Sequence, residues 1–261
     1  MSAVYDLKRG GGPLIVSFPH SGTKLGPFVD TMTAEALALP DTDWHLPRLY
    51  DFLLQQDATT LVAHYSRYVV DLNRDPLGTS LYPGQNVTEL CPTTTFDEKS
   101  VYKPGCAPTE SETKTRTEEF WHPYHACLLA EIERIKARHG YALLWDAHSI
   151  RSRVPRFFAG RLPDFNLGTS DGATCGPART KAVMAAARQA AGYTSVLNGR
   201  FKGGYITRHY GAFAGVEAIQ LELSQKNYME EAWPYDYSPQ QALRVQPCLQ
   251  AMMAAYVEAG N

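Results

Sequence analysis

The chain has 261 residues, 25 Lys and Arg against 27 Asp and Glu, a net charge of −2 and a hydrophobic fraction of 44%. That length suits one large α/β domain or two small ones, and folding would bury roughly 70–75% of the unfolded surface, so a core without cross-links is feasible. The near-neutral balance excludes the broad basic footprint of a nucleic-acid binder and a polybasic membrane anchor.

The opening residues, Met1 to Arg9, lack the apolar core of a signal peptide, and no run approaches the ~18 residues of a membrane span. A cytosolic protein is expected. The five cysteines (Cys91, Cys106, Cys127, Cys175, Cys248) are odd in number and form no Cys-x-x-Cys pair. That argues against a disulfide framework and against a thiolate zinc site.

In chain order, Leu14–Phe18 predicts a buried strand, followed by helical patterns over Thr33–Leu39 and Trp44–Gln56. Strands are expected at Leu61–Ala63 and Tyr68–Leu72. Asp75–Thr109 is rich in Pro, Gly and Thr and resists assignment. Glu110–His139 predicts the longest helix, ending at Gly140, with Pro123 marking a kink or a start. Ala142–Trp145 is the next strand, and Ser149–Gly176 is a second irregular stretch. Pro177–Ala191 (helix), Thr194–Leu197 (strand), Val216–Leu223 (strand) and Pro239–Ala259 (helix) complete the chain. This alternation predicts a single α/β domain with a mixed, largely parallel central sheet flanked by helices. Long irregular stretches in such a domain are usually functional. Their aromatic residues (Tyr82, Phe96, Tyr102, Phe157, Phe158, Phe165) argue against disorder, so both stretches are read as walls of a pocket.

Four apolar runs end in polar clusters: Leu14–Phe18 in His20, Tyr68–Leu72 in Asn73-Arg74, Ala142–Trp145 in Asp146 and His148, and Ala218–Leu221 in Glu222. Ligands bind beyond the carboxyl ends of strands in open α/β sheets. His20 and His148 are therefore candidate metal ligands, against the blander role of capping the next element. Asp146, two residues before His148, faces the same way in an extended strand and would orient it. A catalytic zinc takes three protein ligands and keeps one open position. The third is sought in Asp41-Thr42-Asp43-Trp44-His45. Asp43 is favoured over Asp41 and His45, although either aspartate would also serve as a helix N-cap. Glu222, in an apolar run, needs a reason for burial, and a general base beside metal-bound water is one. Arg74, Arg151, Arg153, Arg156, Arg161, Arg200, Lys202 and Arg208 crowd the same edge and imply a small anionic substrate. His122 and His125 are read as structural.

At these residues the chain resembles the N-formylglutamate deformylase (N-formylglutamate amidohydrolase) family. The resemblance is carried by Phe18-Pro19-His20-Ser21-Gly22-Thr23, by residues 41–45 and 65–74, by Trp145 to Ser152, by Asn198 to Tyr210, and by Gln220-Leu221-Glu222-Leu223. It implies a zinc-carboxypeptidase-like fold and hydrolysis of N-formyl-L-glutamate to formate and L-glutamate, in histidine degradation. It also implies zinc or another divalent ion on His20, Asp43 and His148, with Glu222 as base and acid. That wider superfamily often uses a compact His-x-x-Glu, which His20 does not begin, so the second ligand must come from farther on. Asn73-Arg74 resembles the dipeptide that grips a substrate carboxylate, with Arg74 counted as catalytic too. Arg153, Arg156, Arg208 and Tyr205 are the remaining substrate-binding candidates. Two alternatives stand beside this: a deacylase for another N-acyl amino acid, and a metal-free binding protein for anionic amino acids.

Overall fold

The computed structural model describes residues 3–78 and 88–260. Tyr82, one of the aromatics of the first irregular stretch, lies outside them. The elements are β1 (Tyr5–Lys8), β2 (Leu14–Phe18), α1 (Ala34–Leu37), α2 (Leu46–Leu49), β3 (Thr59–Ala63), α3 (Glu110–Arg116), α4 (His122–His139), β4 (Ala142–Ile150), β5 (Phe165–Gly168), α5 (Pro177–Gln189), β6 (Ser195–Leu197), α6 (Tyr205–Gly211), β7 (Val216–Ser224) and α7 (Pro239–Glu258). Among the described residues these strands form one seven-stranded sheet in the order β1-β3-β2-β4-β7-β5-β6. The central strands β3, β2, β4 and β7 run parallel. β1 lies antiparallel on one edge, and β5 with β6 antiparallel on the other. The sheet is mixed, as expected, and helices cover both faces.

The runs of β2, β4 and β7 are fully buried because the sheet separates two cores. One core places Trp145, Ala147, Ile219 and Leu221 under α5 and α7. The other places Ile15, Leu144 and Ala218 under α4 and α6. Strand alternation carries the second face on to Asp146 and His148 in β4, and to Gln220 and Glu222 in β7. On this face the sheet turns from apolar to polar where its helical cover ends. His148 and Glu222 stand side by side as paired positions of the β4–β7 ladder.

Several elements differ from the sequence expectation. Tyr68–Leu72 is not a strand; the segment is a string of turns. It is apolar because it is buried, and its carbonyls accept from side chains rather than from a neighbouring strand. β4 runs to Ile150, past the expected end at Trp145. β5 lies inside the second irregular stretch, and β1 and α6 were not anticipated. The long helix is interrupted by a π-helical turn, Thr117–Trp121, before α4, with Pro123 in the first turn after it. Gly140 ends α4 in the left-handed conformation at φ 82°.

Candidate metal centre and active site

His20 lies two residues past β2 and is held from both ends. Its Nε2 donates to Asp71 Oδ1 at 2.7 Å, and its Nδ1 lies 3.9 Å from Asp43 Oδ2. Because a carboxylate only accepts, the ring proton sits on Nε2 and the Nδ1 lone pair faces Asp43. Asp43 is placed by a contact between two loops, in which its own N–H donates to the His20 carbonyl. His148 presents Nδ1 to Asp43 Oδ2 at 3.2 Å, and its Nε2 is 3.2 Å from Asp146 Oδ1. The Asn73 side-chain amide approaches the same nitrogen at 3.0 Å. Thr207 of α6 donates to the other oxygen of Asp146. One ligand atom from each of His20, Asp43 and His148 can be chosen so that all lie within 4.8 Å of one another, and all three residues are buried.

The donor chemistry fits a divalent ion. Two imidazoles and a carboxylate, with a carboxylate behind each imidazole, is a pattern that orients metal-binding histidines. Charge points the same way. Among the described residues at the site, the carboxyls of Asp43, Asp71, Asp146 and Glu222 are buried around the single buried guanidinium of Arg67. Burial pushes Glu222 up to about 8. Burial also lowers His20, with Arg67 adding to the effect. For His148 burial works in the same direction, but Asp146 and Asp43 outweigh it and hold the imidazole well above its ordinary value. Asp71 goes the other way: burial opposes its charge, but Arg67 and His20 hold it well below the carboxylate range.

The other two ligand candidates have different work. Asp41 accepts from Tyr68 Oη at 2.6 Å and from the Phe96 N–H at 2.8 Å, tying the first irregular stretch to the site. His45, in the left-handed region at φ 60°, bonds the Tyr235 carbonyl through Nε2 at 2.8 Å. Neither belongs to the His20–Asp43–His148 group.

A cavity opens on this group. Its lining includes His20, Asp43 and His148, the cations Arg67, Arg74 and Arg200, the aromatics Phe96, Phe157 and Phe201, and Asn73, Gln220 and Glu222. Phe96 and Phe157 come from the two irregular stretches, which do form cavity walls.

Residues 12–229 match the family described as N-formylglutamate amidohydrolase. The chain belongs to the N-formylglutamate amidohydrolase family. An N-formylglutamate deformylase of Pseudomonas aeruginosa is 54% identical over 239 residues, covering 91% of this chain and 90% of that protein. One from Pseudomonas putida is 47% identical, covering 100% and 98%. Among solved structures, the N-formylglutamate amidohydrolase of Ralstonia eutropha JMP134 matches with a TM-score of 0.80 at 27% identity, covering 98% of both chains. The Agrobacterium tumefaciens gene product Atu2144 has the same fold, with a TM-score of 0.72 at 16% identity over 97% of this chain and 94% of that one. The family resemblance read from the motifs is thereby borne out.

Within this N-formylglutamate amidohydrolase framework the sequence candidates divide. His20, Asp43, Asn73, Arg74, His148 and Glu222 meet at the cavity. Arg153, Arg156, Arg208 and Tyr205 are not in its described lining. Arg153 is exposed beside a separate depression with Arg151 and Lys226. Arg156 donates to Thr94 Oγ1 and the Thr95 carbonyl. Arg208 donates to the Gly203 carbonyl, and Tyr205 stacks on His209 and edges Trp121 and His125. The physical reason is direction: Arg153 and Arg156 sit on irregular backbone and Tyr205 and Arg208 on α6, and neither setting turns the side chain to the edge that its sequence position approaches.

Arg67 and Asp71 received no role from the sequence, yet they pair at 2.6 Å beneath His20. The signal was present: a charged pair at i and i+4 inside an apolar run needs the same explanation as Glu222. Gly204 makes a close backbone approach to Asn73. A Cβ on Gly204 would lie 2.2 Å from Asn73 Nδ2, and its N–H donates to Gln220 Oε1.

Proposed function

We propose that this chain is a metal-dependent amidohydrolase that converts N-formyl-L-glutamate and water to formate and L-glutamate. The observation that carries this reading is the buried His20–Asp43–His148 group with Glu222 beside it, opening into a cavity lined by arginines. The names of the Pseudomonas relatives supply the substrate.

His20 and His148, each through Nδ1, and Asp43 would hold the ion. When bound, a divalent ion supplies Lewis acidity and makes water a better nucleophile near neutral pH. Glu222 takes the proton of the attacking water and returns it to the leaving amine as the C–N bond breaks. Asp71 keeps the ring proton of His20 on Nε2, and Asp146 lies beside the His148 ring at 3.2 Å. Arg67, fixed by Asp71, stands where charge develops on the formyl oxygen, and its fixed position removes reorganisation from the step. Arg74 and Arg200, both on the cavity wall, are assigned the two carboxylates of the substrate, with Asn73 beside Arg74. Arg74 thus keeps the substrate-binding role read from the sequence, while its catalytic role passes to Arg67. Arg153, Arg156, Arg208 and Tyr205, which do not line the cavity among the described residues, are given no substrate contact in this reading. Zinc is the proposed ion because two imidazoles and one carboxylate suit it.

No described helix is long and apolar enough to cross a membrane. A cytosolic enzyme of histidine degradation is the setting that this activity suggests.

The test is formate release by metal-stripped protein, with and without zinc, on N-formyl-L-glutamate beside N-acetylglutamate and N-formylaspartate. Zinc-restored turnover preferring N-formylglutamate is the expected result. Equal activity on the acetyl compound would move the reading to a broader deacylase. Absence of turnover with any divalent metal, in folded protein, would overturn it in favour of a binding protein for anionic amino acids.

A further inference from the structure

The segment 68–74 carries Asn73 and Arg74 to the cavity without belonging to the sheet, so something else must hold it. Its carbonyls show what does. The Tyr68 carbonyl accepts from Tyr102 Oη, and the Val69 carbonyl from Arg116 Nη1 at 3.2 Å. The Leu72 carbonyl accepts from His125 Nε2 at 2.8 Å, and the Arg74 carbonyl from Trp121 Nε1 at 3.1 Å. Arg116, Trp121 and His125 all belong to one helical stretch.

Their spacing, five residues and then four, does not suit a plain α-helix. At 3.6 residues per turn, five residues leave two side chains about 140° apart. The π-helical turn Thr117–Trp121 falls between them. A π-turn admits an extra residue, which brings Trp121 back onto the face of Arg116, and such turns recur at functional sites. One α-turn later His125 follows on the same face. Its ring stacks on Trp121 with centroids 3.7 Å apart, and its Nδ1 takes the Tyr210 hydroxyl at 2.9 Å. Two indole and imidazole N–H groups therefore grip the carbonyls on either side of Asn73.

We propose that the π-turn, through Trp121 and His125, positions the Asn73-Arg74 dipeptide for anion binding, so that these two are positioning residues for the substrate carboxylate. The inference rests on the reading of Arg74 as a carboxylate-holding residue. It is not a role in the chemistry: neither ring lines the cavity among the described residues.

Trp121→Phe keeps an aromatic ring on His125 and removes only the N–H. In zinc-loaded enzyme it is expected to raise KM for N-formylglutamate, and Kd for L-glutamate by calorimetry, roughly two- to tenfold, the range of one lost neutral hydrogen bond. The kcat should stay within twofold and the Tm close to that of the parent. In an Arg74→Ala background the same substitution should raise Kd by less than in the parent, because only Asn73 is left to position. An unchanged KM, or an equal rise with and without Arg74, overturns the positioning role. If Arg74→Ala itself leaves Kd unaltered, the assignment of Arg74 falls and takes this inference with it. That outcome differs from a raised Kd in Arg74→Ala with none in Trp121→Phe, where only the π-turn's role is lost.

Discussion

Replacing Asp71 by asparagine probes the least visible part of the site. Asp71 is fully buried, and its oxygens take three bonds: from His20 Nε2 at 2.7 Å, from the Asn73 N–H at 2.9 Å and from Arg67 at 2.6 Å. An amide keeps one acceptor oxygen. If that oxygen serves His20 and Asn73, the amide NH2 is turned on the guanidinium, donor against donor. Arg67 is only 7% exposed, so its charge stays buried without its direct carboxylate partner, at a cost of up to about 3–5 kcal/mol. At about 2–4 °C per kcal/mol for a chain of this size, the melting temperature of metal-stripped Asp71→Asn should fall by roughly 6–20 °C. Zinc affinity should fall about 10–100-fold, the usual effect of removing a carboxylate behind a metal-binding histidine. Because the folded carboxyl lies well below its unfolded value, the stability it contributes is present above about pH 4 and is lost as pH falls through the folded value. Thermal melts at pH 7.5 and a competitive zinc titration would measure both effects. A second substitution, Arg67→Met, removes the stranded charge and should recover stability in the Asp71→Asn background. Asp71→Asn melting within about 2 °C of the parent, or a double variant no more stable than the single one, would refute this account.

Glu222→Gln should lower kcat by about 10²–10⁴ while leaving zinc affinity within a few-fold; single-turnover formate release would read it, and a loss below tenfold would remove Glu222 as the base. Gly204→Ala must displace the Asn73 amide, 2.2 Å from the new Cβ. It should reduce kcat/KM at least tenfold and destabilise by about 1–3 kcal/mol, measured by steady-state kinetics and urea unfolding. Burial lowers His125 to about 3, so only the unfolded state takes up its proton between about pH 6.5 and pH 3. Stability should therefore fall with acidification by about 1.4 kcal/mol per pH unit from this group, and urea midpoints of His125→Asn should be shallower in pH by that amount.

The parts of the fold that were legible from sequence are those whose reason for burial is local. β2, β4 and β7 read as strands because they are short apolar runs between turn signals. In β4 and β7 the polar continuation keeps the alternation, Asp146 with His148 and Gln220 with Glu222. The run 68–72 has the same composition for a different reason. It is buried by Arg116, Trp121 and His125, about fifty residues away, and nothing in its own pattern distinguishes side-chain partners from a partner strand. β5 was hidden because four residues set among Pro, Arg and Gly carry too little periodicity. At the site, His148 and Glu222 face the cavity because strand alternation fixes their direction. The arginines off the strands follow no such rule. Arg74 and Arg200 line the cavity while Arg153, Arg156 and Arg208 do not, a difference that no spacing rule describes.

The charge arrangement ties the fold to the chemistry. Asp71 already pairs with the one buried guanidinium, so the further buried carboxyls of Asp43, Asp146 and Glu222 oppose folding unless a cation joins them. Glu222 makes this concrete. Burial raises its folded value to about 8, whereas the unfolded carboxyl ionises near its ordinary value. Between those limits the folded state must take up a proton, so at pH 7 this group costs the metal-free protein on the order of 3 kcal/mol. A divalent ion that binds only the folded state returns about 2.7 kcal/mol at a free concentration one hundred times its Kd. Stability and metal affinity should then fall together on losing His20, Asp43 or His148. Glu222→Gln should separate them, melting higher than the parent without metal while hardly turning over. A site that cost the fold nothing would give the opposite result, with Glu222→Gln no more stable than the parent at pH 7.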